Sequence, residues 1–151
     1  MGDEQRFLEL IKISNSLRRN GKFLELEDPQ ADKILLKFLV SIEKNFRYVD
    51  IEIYIELCND FIAEEINAED FCRAFRGLYM GASKKVKEMK KKESLELLNW
   101  MGPTNLEIDD LLSQGCGLCT NFISSPEINI DEKNLRKYAR NLVIELQQLK
   151  V

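Results

Sequence analysis

Between Ile51 and Tyr79 apolar and polar positions alternate with the period of a helix. At ~100° per residue, Ile51, Tyr54, Ile55, Leu57, Cys58, Phe61 and Ile62 gather on one side, and Glu52, Glu56, Asp60 and Glu64 fall on the other. Each of these acids follows the last by four residues, a spacing at which like charges cost about 0.2–0.5 kcal/mol per pair. No Lys or Arg occurs from Ile51 to Cys72. The neutralising charge has to come from another helix, from solvent or from a basic partner.

The same periodicity organises the rest of the chain. Asp3 to Asn20 reads as an amphipathic helix with Phe7, Leu10, Ile11, Ser14 and Leu17 on its inner face, stopped by Asn20-Gly21. Asp28-Pro29 marks a restart, with Asp as N-cap and Pro at the first helical position. The helix that follows, to about Phe46, is predicted to bury Ile34, Leu35, Phe38, Leu39 and Ile42. Val49 to Ile55 also fits the alternation of a short strand, but a lone strand has no partner and the helical spacing continues to Ile62. Asp50 stands where a cap would be.

Asn67, with Asp70 three residues on, resembles a capping box, and Phe71, Ala74, Phe75, Leu78 and Ala82 form the next apolar stripe. Met101-Gly102-Pro103 breaks the chain before Thr104-Asn105-Leu106-Glu107, a full T-x-x-E box. Ile108, Leu111, Leu112, Leu118 and Phe122 carry that helix inward. Gly115 and Gly117 weaken it by ~1 kcal/mol each and suggest close packing against a neighbour. A last helix, from about Asp131 to Leu149, buries Leu135, Tyr138, Leu142, Leu146 and Leu149. The expected fold is all-α, an antiparallel bundle of about six helices in a single domain, 1–151. Residues 1–50 form an N-terminal helical hairpin and 51–151 a four-helix core.

Composition narrows the function. The chain has 151 residues, 44% hydrophobic and 32% charged, as in a folded soluble protein. Its apolar runs are far shorter than the ~20 residues of a membrane span, and its N-terminus is acidic where a signal peptide is basic. A bacterial-style cytoplasmic location, with no membrane contact, is expected. There is no histidine, which removes Ser-His-Asp and Cys-His catalysis and histidine-ligated metals. Cys116-Gly117-Leu118-Cys119 is an isolated CxxC, so packing of free thiols is preferred over a redox or zinc role for Cys58, Cys72, Cys116 and Cys119. No cofactor is implied.

The net charge of −4 conceals blocks. Residues 51–72 hold seven acids and no base, and 73–92 hold eight bases against Glu88. Residues 93–132 hold eight acids and no base. The lysines 84, 85, 87, 90, 91 and 92 read first as a solvated helix end favoured by the helix dipole. With no interleaved aromatics and an acidic chain, they point away from direct nucleic-acid binding.

Three stretches carry a resemblance. Phe61-Ile62 leads into Glu65-Ile66-Asn67-Ala68-Glu69-Asp70-Phe71; Ser125-Pro126-Glu127 follows the penultimate helix; and Ile130-Asp131-Glu132 runs through Leu135-Arg136. Over residues 51–149 the chain resembles the colicin D immunity family of bacterial self-protective proteins. The resemblance implies a small four-helix protein that sequesters a tRNA-cleaving toxin by presenting acids to its basic active site. The family's acids before the Pro-acid loop are replaced by Asn121, Ser124 and Ser125, which leaves Glu127 as the direct carry-over, and residues 1–50 have no counterpart.

The expected function is therefore a non-enzymatic immunity or inhibitor protein. It binds a basic toxin or other nucleic-acid-handling protein through Glu52, Glu56, Asp60, Glu64 and Glu127. One alternative is a regulatory or scaffold bundle bound through apolar surface, which exposure of Ile53, Trp100 or Met101 would favour. A weaker one is an enzyme using paired carboxylates or the CxxC.

Overall fold

The computed structural model describes residues 2–101, 106–124 and 132–149. Those residues form helices α1 (Gly2–Arg19), α2 (Leu24–Glu27), α3 (Pro29–Val49), α4 (Ile51–Ile62), α5 (Ala68–Lys91), α6 (Leu106–Ser124) and α7 (Glu132–Leu149), with a 3₁₀ segment at Leu95–Trp100. No strand occurs among them, so the all-α bundle predicted from periodicity is observed. The short α2 and the 3₁₀ segment are additions, too brief for a hydrophobic period to register. Among the described residues no helix is long and apolar enough to cross a membrane.

Two compact units divide the chain. One comprises Met1–Phe46 with Ser83–Thr104, the other Arg47–Ala82 with Asn105–Val151. Residues 1–46 therefore do not stand as a hairpin alone, because the end of α5 and the 3₁₀ segment complete their unit.

In the first unit, Phe7, Leu10 and Ile11 of α1 are buried, as are Leu35, Ile42 and Phe46 of α3, Val86 of α5, and Leu97. Phe7 meets Phe38 edge-on at 5.4 Å. Asp28 caps α3 as its sequence position predicts, Oδ1 accepting from Ala31 N at 3.2 Å. Ile34 departs from expectation and is exposed. The buried line of α3 runs through Ala31, Leu35 and Ile42, and Ile34 lies about one residue's rotation, ~100°, off it.

Nor is the lysine run wholly solvated. Lys85 Nζ sits 4.4 Å from the centre of the Phe46 ring and 5.8 Å from that of Trp100, and Lys90 is half-buried. Trp100 packs on Phe46 at 4.5 Å, and its carbonyl accepts from Asn45 Nδ2 at 2.6 Å.

The second unit has the larger core, drawn from α4, α5, α6 and α7. Ile51, Tyr54, Ile55, Cys58 and Phe61 of the α4 stripe are buried. Phe61 stacks on Phe71 at 4.4 Å, and Tyr54 meets Phe75 edge-on at 5.2 Å. Asn67 is the N-cap of α5, Oδ1 accepting from Asp70 N at 2.8 Å.

Asp50 makes no side-chain cap. It is the single residue between α3 and α4, and its carbonyl takes Ile53 N and Tyr54 N at 2.9 and 3.2 Å. The box expected at Thr104 and the helix start expected at about Asp131 lie outside the described residues. Of the two helical glycines of α6, Gly115 marks close packing: a Cβ there would lie 2.5 Å from Phe75 Cζ, whereas at Gly117 nothing among the described residues is within 4 Å.

A buried ion pair fixes one end of this unit. Arg47, in the last turn of α3, meets Asp109, in the first turn of α6, at 3.1 Å. Arg47 Nε also donates to the Tyr79 carbonyl at 3.1 Å, and its guanidinium lies 3.6 Å from the centre of the Tyr79 ring. Each charge sits at the helix end whose dipole favours it.

Candidate acidic docking surface

The acids predicted for the outer side of α4 occupy three different settings. Glu52 and Glu56 are exposed, Glu52 also engaging a neighbour within the protein, and Asp60 is half-buried. Glu64 lies beyond the helix. The chain closes α4 with a Schellman turn, in which Glu65 N donates to Asp60 O at 2.9 Å and Glu64 N to Phe61 O at 3.1 Å. Glu64 is the left-handed residue of that turn, at φ 62°. Glu127 lies outside the described residues.

Glu64 occupies the position where glycine is the usual residue, since a Cβ in that conformation costs about 1 kcal/mol. It is exposed, and its carboxylate makes no ion pair or hydrogen bond among the described residues. The helix dipole compounds the cost. Asp60, Glu64 and Glu65 surround the negative end of α4, whose last turn contains no base.

Glu93 offers a comparison at the end of α5, again left-handed at φ 51°. There the carboxylate is used internally, accepting from Asn15 Nδ2 at 3.4 Å and lying 3.9 Å from Arg19.

The cation missing from 51–72 arrives on α7. Arg136 donates to the Phe61 carbonyl, lies 4.3 Å over the Phe61 ring and pairs with Glu132 at 3.1 Å. It is a second donor to a carbonyl that already takes Glu64 N, and it offsets part of the charge at that end. Neither role was visible in sequence, because the partners stand 75 residues apart.

A second acidic region belongs to the same unit. Glu107 and Asp110 of α6 and Glu145 of α7 line an opening of about 450 Å³, with Gln148 and two leucines. The charge blocks of the sequence follow the division of the chain. The second unit carries 15 acids against 8 bases, the first 11 acids against 14 bases.

The thiols offer little chemistry. Cys58, Cys72 and Cys119 are buried, and Cys116, expected to be buried with them, is only half so. Burial pushes the Cys58 thiol up to about 12. A hydrogen bond with Cys72, reinforced by burial, pushes Cys119 upward as well. Both remain protonated, and so weakly nucleophilic, at neutral pH. Among the described residues no group of three or more Cys, Asp or Glu could hold a metal ion.

Comparison with protein-family models, with curated proteins and with solved structures finds no match.

Proposed function

We propose that this protein is a non-catalytic binding module that holds a basic protein partner against the acidic surface of its second unit. The partner class that best fits is a nuclease-type, tRNA-cleaving bacterial toxin, inhibited by occlusion of its cationic substrate site. The observation that carries the reading is Glu64: an exposed carboxylate kept in a left-handed backbone position, at the end of a helix whose dipole opposes it. Unfavourable local choices of this kind persist where function requires them. Exposed Glu52 and Glu56, and the Glu107, Asp110 and Glu145 opening, extend the same charge.

The test measures association of the full chain with a purified basic ribonuclease-type toxin domain, together with inhibition of RNA cleavage. Glu56→Lys with Glu64→Lys is expected to slow association about tenfold at low salt, with the difference shrinking as salt screens the field. Lys92→Gln, an exposed change, is the control.

Ile53, Tyr48 and Val49 favour a second reading, a scaffold bundle bound through apolar surface, because all three are exposed around the α3–α4 junction. Trp100 and Met101 do not add to it, being half-buried. If Ile53→Ser abolishes binding and the acid reversals change nothing, the scaffold reading replaces the inhibitor one.

A further inference from the structure

The first unit contains a feature of opposite sign. Arg18 and Arg19 from α1 and Lys84, Lys87, Lys90 and Lys91 from α5 line one cleft of about 560 Å³, together with Asn15 and Glu88. Six cations face one acid. The helix dipole accounts for some of them, since Arg18, Arg19, Lys90 and Lys91 stand in last turns. It does not account for Lys84 and Lys87, which lie one to two turns further back, where the dipole has faded.

The walls of the cleft are fixed rather than fortuitous. Asn15, which is 8% exposed, donates through Nδ2 to the Lys90 carbonyl at 2.9 Å. Lys90 Nζ reaches Ser14 Oγ at 2.9 Å. These bonds hold the ends of α1 and α5 together, and so bring like charges close to one another. Burial, and then the nearness of Arg18, lower the pKa of Lys90, against a weaker opposing pull from Asp32. Glu93 accepts from Asn15 and, of the cleft's cations among the described residues, pairs with Arg19 alone, at 3.9 Å. Arg18, Lys84, Lys87 and Lys91 form no ion pair among the described residues.

We infer that this cleft is a binding site for a compact anion carrying several phosphate groups. The chemistry fits on three counts. Arginine forks take phosphate oxygens in pairs, and lysines serve as point charges around them. The volume falls within the ~300–1,000 Å³ of small-ligand sites. Among the described residues no aromatic side chain lines the cleft, so they offer no platform on which a nucleic-acid base would stack. The ligand is a small polyanion rather than a strand. This site is independent of the acidic surface of the other unit, and either proposal stands if the other fails.

The experiment is calorimetric titration of the full chain with inorganic tripolyphosphate at fixed ionic strength, with citrate and a single-stranded oligonucleotide as parallel arms. One-to-one binding of tripolyphosphate is expected, weakened at least about tenfold by Arg18→Gln with Lys87→Gln, the order of two lost charge-assisted contacts. Lys92→Gln, outside the lining, is expected to change nothing. Circular dichroism and the melting temperature establish that the variants fold; both changed side chains are exposed.

If heat and thermal shift match those of sodium chloride at equal ionic strength, or all three lysine and arginine changes act alike, the cleft is a screened surface and the proposal is wrong. Equal affinity for citrate removes the phosphate selectivity. Binding of the oligonucleotide but not tripolyphosphate makes the cleft a nucleic-acid surface instead.

Discussion

Single residues show where this protein departs from its own best local choices. Tyr54 is fully buried, yet among the described residues its hydroxyl finds no hydrogen-bond partner. An unmet buried donor costs roughly 1–3 kcal/mol, so Tyr54→Phe is expected to be neutral or stabilising, by up to ~1 kcal/mol, in urea unfolding. A clear loss would mean that the hydroxyl has a partner after all. Glu64 departs in the other direction, through the backbone. Glu64→Gly relieves a left-handed Cβ and is expected to raise stability by about 1 kcal/mol, and, on the proposed function, to weaken binding of a basic partner. Glu93→Gly relieves the same strain but also removes the bonds to Asn15 and Arg19, so its gain is expected to be smaller. Equal gains at the two positions would show that the Glu93 side chain contributes nothing to the first unit.

At the scale of elements, what could be read in advance was whatever depends on neighbours within about one turn. The caps at Asp28 and Asn67 and the buried line Ile51, Tyr54, Ile55, Cys58, Phe61 are local patterns, and they appear where periodicity puts them. The two Schellman turns at Glu64 and Glu93 were not legible, because the residue that usually announces such a turn is glycine. Arg136 over Phe61, the Arg47–Asp109 pair and the walls of the basic cleft depend on which helices meet, and no local pattern encodes that. The candidate acids were therefore legible as residues, but their differing settings were not.

Gly115 and Gly117 separate the local from the tertiary. Helix propensity treats them alike, and replacing either by alanine would gain ~1 kcal/mol in an open helix. Gly117→Ala should deliver that gain. Gly115→Ala should instead lose about 1–3 kcal/mol through overpacking, since its Cβ would meet Phe75 and the Tyr138 hydroxyl that donates to Leu111 O at 2.6 Å. Matching denaturant midpoints for the two variants would place the close approach elsewhere.

For the molecule as a whole, the groups that titrate set an asymmetric pH profile. There is no histidine, the side chain that ordinarily makes stability vary between about pH 6 and 8. Among the described residues the groups with raised values are acids that are neutral when protonated. Burial raises Tyr54, Tyr138 and Cys58, and a hydrogen bond with Cys72 followed by burial raises Cys119. In the unfolded chain a thiol releases its proton near 9.0 and a tyrosine near 10.0, whereas the folded Cys58 holds its proton to about 12. The folded state thus binds more protons than the unfolded one throughout that window, and stability falls as pH rises. Their contribution is fully present below about pH 8 and is lost on the alkaline side, at up to ~1.4 kcal/mol per pH unit for each such group. Lys90, lowered chiefly by burial, works in the opposite direction, one group against four. Urea midpoints are therefore expected to be level from pH 6 to 8 and to drop steeply by pH 10.5, with a shallower drop in Tyr54→Phe. A profile that instead bends between pH 6 and 8 would require an ionisable group whose value the fold shifts into that range, and Tyr54, Cys58, Cys119 and Tyr138 would not be what sets the stability of the protein.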